Sequence, residues 1–90
     1  MKKAEIKTAL EDAIEALASA EHERWAHWQS YMHNRAVRQN DGSLLIPAEL
    51  VERWERLIAT PYSGLSEDEK KSDRDQVHRY LPVIEKALGC

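Results

Sequence analysis

Apolar residues recur at three- and four-residue spacing from Ile6 through Leu10, Ala13, Ile14, Leu17, Trp25 and Trp28 to Met32, with Glu21 as a polar member of the stripe. Neither glycine nor proline occurs before Gly42. The pattern predicts one long helix over about residues 4 to 33, bending near Ser19. From Asn34 the period is lost. Gln39-Asn40-Asp41-Gly42-Ser43, between Ala36-Val37 and Leu44-Leu45-Ile46, signals a turn. An extended connection or a short hairpin is expected near 35–46.

Pro47 suits the first turn of a second helix, where its missing N–H costs nothing, and Leu50, Val51, Trp54, Leu57 and Ile58 supply the apolar face. That helix should stop before Pro61, because the residue ahead of a proline avoids the α region. Thr60 to Leu65 then forms a tight connector, of which Pro61 to Leu65 is expected to pack as a corner against the first helix. Ser66 followed by Glu69 is a capping box, and Glu67 and Asp68 sit in the positive first turn of a third helix. Val77, Tyr80, Leu81, Ile84 and Leu88 carry its stripe, which Pro82 should kink or split. The fold class that follows is all-α, with three to four helices. A long N-terminal helix packs against two shorter ones in a single domain spanning 1–90.

With 42% hydrophobic and 32% charged residues, the composition is that of an ordinary globular chain, but 90 residues support only a thin core. Oligomerisation is one way to complete it. The formal charge of −3 is spread evenly, without the basic footprint that nucleic-acid binding needs, so no nucleic acid is expected. No apolar run is long enough for a bilayer, and Met1-Lys2-Lys3 leads into amphipathic sequence without a signal-peptide core. A cytoplasmic location away from membranes is expected. Cys90 is the only cysteine, which excludes an internal disulfide and reads as a free thiol on a fraying end.

Chemistry is sparse along the chain. His22, His27 and His33 share the first helix, but the first two stand about 140° apart around it, so they cannot close on one ion from a single face. Neither a nucleophile with its base nor a glycine-rich phosphate loop occurs, and no metal, cofactor or enzymatic activity is expected. His33, Arg35 and Arg38 gather at the first helix's C-terminal end, where the helix dipole favours cations and an anion contact is the alternative.

The informative oddity lies on the third helix. Extending its apolar stripe backwards lands on Lys70, Asp73 and Arg74, so charges occupy a face that should be buried. Glu21 and His22 beside Trp25 offer matching polarity on the first helix. Two readings stand: a buried network of His22, Glu21, Asp73 and Arg74 that pins two helices, or a ligand pocket lined by these groups and the tryptophans.

Two stretches carry a family resemblance. His22-Glu23-Arg24-Trp25 is similar to a His-x-x-Trp on an opening helix, and Thr60 to Arg74 follows a Pro-Tyr-x-x-Leu, Glu-Lys, Asp-Arg order. Together they resemble the ryanodine-receptor repeat domain, a small helical module that also occurs as single copies in bacterial and phage proteins. The resemblance covers residues 21–89 and leaves 1–20 as an N-terminal helical extension. The family's Gly-Trp-x-Tyr-Gly segment is replaced here by Met32-His33-Asn34-Arg35 and the Asp41-Gly42 turn. It implies a small interaction module, phage- or prophage-borne, with His22, Trp25, Tyr62, Lys70, Asp73 and Arg74 converging on a ligand. The partner expected is an unknown protein or a small anionic, nucleotide-like ligand. The alternative is a purely structural homo-oligomer joined through Ile6 to Leu17.

Overall fold

A computed structural model describes residues 1–89 and contains, in order, α1 (Lys3–Asp12), α2 (Ile14–Arg35), β1 (Val37–Arg38), β2 (Leu44–Leu45), α3 (Ala48–Ala59), a 3-10 turn (Tyr62–Gly64) and α4 (Glu67–Ala87). The fold is mainly α. Its one sheet among the described residues is the short antiparallel hairpin in the connector, with Val37 opposite Leu45 and Arg38 opposite Leu44. Asp41 builds the hairpin turn by accepting from the Ser43 N–H at 2.9 Å and the Ser43 hydroxyl at 2.6 Å. Gly42 follows with φ +89°, a conformation glycine adopts without steric cost. Those hydrogen bonds, the side-chain one first, hold the Asp41 carboxyl below its ordinary range.

The apolar stripe through residues 4 to 33 is not one helix. It breaks at Ala13, six positions before the expected bend, where the backbone N–H turns to the Leu10 carbonyl at 3.1 Å in a tighter, 3-10-like bond. Ala13 is also the most buried residue described, 8% exposed. The small side chain lets the chain bend there, so that α1 folds onto α4. Ile6, Ala9 and Leu10 are half-buried as a result, and the segment expected to be free for a second copy is partly used within the chain.

α3 starts one residue after Pro47, whose carbonyl accepts from Leu50 and Val51 at 3.0 and 3.1 Å. The capping box forms as read: the Glu69 N–H donates to Ser66 Oγ at 3.2 Å, and the Ser66 N–H donates to the Glu69 carboxylate at 2.9 Å. α4 then runs 21 residues, nearly the 22 of α2, and the short helices are α1 with 10 and α3 with 12. Pro82 neither splits α4 in two nor ends it. The acceptor that loses its N–H donor is the carbonyl of His78, and both residues lie on the exposed side, where water replaces the bond. In the 60–65 corner the polar contacts of Tyr62 are made to α4, while Leu65 lines a groove together with Trp28 and Tyr31 of α2.

α2 and α4 lie antiparallel, and α1 closes over α4 at one end while α3 wedges near the other. The assembly is long and flat, 55 × 34 × 17 Å, with a radius of gyration of 17.8 Å. A compact chain of this length has a radius of about 12 Å. None of the described side chains is fully buried. Cys90, read as a free thiol, lies outside the described residues.

Candidate functional site

The apolar faces of α2 and α3 meet through aromatic rings. Trp28 sits edge-on to Trp54 with centroids 5.7 Å apart and planes at 65°, and stacks on Tyr31 at 5.6 Å. Both geometries suit the ring quadrupoles. The Arg35 guanidinium lies 5.0 Å above the Tyr31 ring, adding a cation–π contact at the end of α2. These rings form the floor of an open groove between α2, α3 and α4, walled further by Met32, Leu57, Leu65 and Gln76. The Gln76 side-chain oxygen is buried there without a hydrogen-bond donor.

Two carboxylates tie α4 to the helices beside it. Glu69 accepts from Arg56 at 2.6 Å while completing the capping box, so one side chain fixes α3 against the start of α4. Arg56 first, and then the Ser66 N–H, hold its carboxyl down at about 2. At the other end, Glu21 accepts from Arg24 and from the Tyr80 hydroxyl, joining α2 to the second half of α4. Arg24 first, then Tyr80, depress the Glu21 carboxyl to about 2, and the carboxylate in turn raises the Tyr80 hydroxyl above its ordinary value.

The six residues expected to converge divide into two groups. His22 stacks on Trp25 at 5.8 Å on the exposed side of α2. Tyr62, Lys70 and Arg74 gather at the start of α4: the Lys70 ammonium lies 5.6 Å from the Tyr62 ring centroid, and Arg74 donates to the Tyr62 hydroxyl at 3.3 Å. Glu67 lies between the two cations, 4.0 Å from Lys70 and 3.4 Å from Arg74. Tyr62 and then Glu67 raise the Arg74 pKa. Asp73 is exposed at the groove edge and makes none of these bonds. The buried network of His22, Glu21, Asp73 and Arg74 is therefore not formed. Glu21 pairs with Tyr80 instead, because a residue seven positions after Asp73 reaches the first third of an antiparallel α2.

Reasoning from the sequence missed the Trp28–Trp54 contact and the second partner of Glu69. Both tryptophans are visible on apolar faces, but which faces meet depends on the path of the hairpin. Among the described residues, no group of three or more His, Cys, Asp or Glu side chains could hold a metal ion, and no helix is long and apolar enough to cross a membrane. No family model, curated protein or solved structure matches the chain.

Proposed function

We propose that this chain is a non-catalytic interaction module that binds a partner protein in the groove between α2, α3 and α4. One observation carries the reading: Trp28 is 39% exposed while its edge contacts Trp54, with Tyr31, Arg24 and Arg53 beside it. Tryptophan, tyrosine and arginine are the side chains that dominate binding energy at protein interfaces, and here they line one concavity. The order of residues in Thr60 to Arg74, similar to the ryanodine-receptor repeat and its single phage or prophage copies, supports a binding role of the same kind.

A small-anion or nucleotide site has one observation in its favour, the pairing of Lys70 and Arg74 around Tyr62. Electrostatics weakens it. Glu67 already pairs with both cations, and Asp68 and Glu69 add negative charge in the same turn, so a phosphate would meet carboxylates at close range.

Photo-crosslinking in the source cell tests the groove. A benzophenone amino acid at Ile58, which is 84% exposed on the groove wall, is expected to capture a partner protein that the same probe at Glu52 does not. Equal capture at both positions, or none at Ile58, would overturn the reading.

A further inference from the structure

A second apolar surface lies outside the groove. Ala13, Arg24, Gln76 and Tyr80 belong to the inner side of the α2/α4 pair, and each is followed by an apolar residue that is left exposed. Those residues are Ile14, Trp25, Val77 and Leu81, at 57%, 51%, 54% and 37% exposure. One residue along a helix is a rotation of about 100°. Because α2 and α4 are antiparallel, the same rotation on each carries the side chains to the same side of the pair. Glu21 meets Tyr80, so Val77 falls opposite Trp25, and the four residues form one strip across both helices. None of them lines the groove.

We propose that this strip is covered by the same strip of a second copy of the chain, in a two-fold dimer whose core the two copies share. The area fits. The chain exposes 7292 Å² at a mass of 10.4 kDa. A folded monomer of that mass exposes about 5,400 Å², an excess of roughly 1,900 Å² per chain. Permanent homodimers bury about 1,000 to 2,500 Å² on each partner, so an excess of this size, spread over the whole elongated chain with the strip as part of it, is of the order a second copy covers.

The chain's own resources point to a permanent cover. Its one cysteine rules out an internal disulfide, and among the described residues only Ala13 is a buried apolar residue. A domain this small without staples draws stability from oligomerisation. A transient partner would leave the free chain without that support, whereas another copy is always present where the chain is made. An isologous contact also closes on itself, so the strip is used up and no filament grows. The net charge of −3 gives the chain no attraction to anionic lipid as a different cover.

The test is molar mass by light scattering, with small-angle scattering and thermal melts of the full chain over a hundredfold concentration range. The expected result is twice 10.4 kDa, with a melting temperature that rises with concentration. V77E combined with L81E should weaken self-association roughly tenfold or more, since it places four like charges in the shared core. I58E, on the groove wall, should leave the mass unchanged. A dimer that survives V77E/L81E would overturn the proposal. If that variant does not fold, the native chain decides, and a melting temperature independent of concentration would overturn it. A native monomer with a radius of gyration near 17.8 Å would remove the dimer and leave the groove reading standing; one near 12 Å would remove both.

Discussion

The Tyr80 hydroxyl donates a 2.5 Å hydrogen bond to the Glu21 carboxylate, tying α4 to α2 across 59 positions of the chain. Arg24 holds the same carboxylate from one turn further along α2. Glu69 plays the corresponding part at the opposite end, between Arg56 and the start of α4. Two acidic side chains thus tie α4 to its neighbours, Glu21 to α2 at one end and Glu69 to α3 at the other.

Acid should therefore loosen the fold. Both carboxyls fall from 4.5 to about 2 in the folded chain, so the stability they contribute is present above about pH 4.5 and lost as pH falls through about 2. Thermal melts at steps from pH 6 to pH 2 should show the native melting temperature dropping in that window. E21Q/E69Q should start lower and change less. Tyr80 works in the other direction: its hydroxyl is raised above 10.0, so its contribution is complete below pH 10 and disappears as pH rises through the folded value. An E21Q/E69Q curve parallel to the native one would show that other carboxylates govern acid unfolding.

Removing the α4 cap should be costly for so small a change. Ser66→Ala deletes the acceptor of the Glu69 N–H and should cost about 1 kcal/mol, or about 4–8 °C in melting temperature. Ser30→Ala on the exposed side of α2 should stay within about 0.5 kcal/mol. Urea titrations of the two variants make the comparison, and equal shifts would mean that the capping box is not formed in solution.

Pro82 sits inside α4 on its exposed side, so Pro82→Ala should stabilise the chain by about 1 to 3 kcal/mol. It restores an N–H to the His78 carbonyl and removes a ring from the helix. Loss of stability on this substitution would mean that the proline shapes a contact, such as the fold of α1 onto α4.

Asp73→Ala should change stability by less than about 0.5 kcal/mol, because the carboxylate is exposed and makes none of the helix-joining bonds. Its presence on an apolar stripe suggests the opposite, a loss of several kcal/mol from a stranded buried partner. Chemical denaturation separates the two. A loss above about 2 kcal/mol would place Asp73 in a buried network after all.

Much of the local structure is legible in the chain. The period through Leu17 and Trp28, the Asp41-Gly42 turn, Pro47 ahead of α3 and the Ser66/Glu69 box each depend on neighbours within about four residues, the range over which helices and turns are specified. The candidate site was harder to read. Lys70 and Arg74 do meet Tyr62, from an adjacent segment, but His22 and Trp25 stack on each other along α2 instead of joining them.

The sequence by itself determined the helices, their caps and the hairpin, because hydrogen bonds and side-chain spacing along a short stretch are enough to select them. Only the tertiary structure decided where the first helix breaks, which carboxylate meets Tyr80, and that Trp28 faces Trp54. Those outcomes rest on rotations of whole helices about their axes. A stripe as broad as this one, with polar members in it, permits several such rotations, and the contacts that choose among them join residues far apart in the chain.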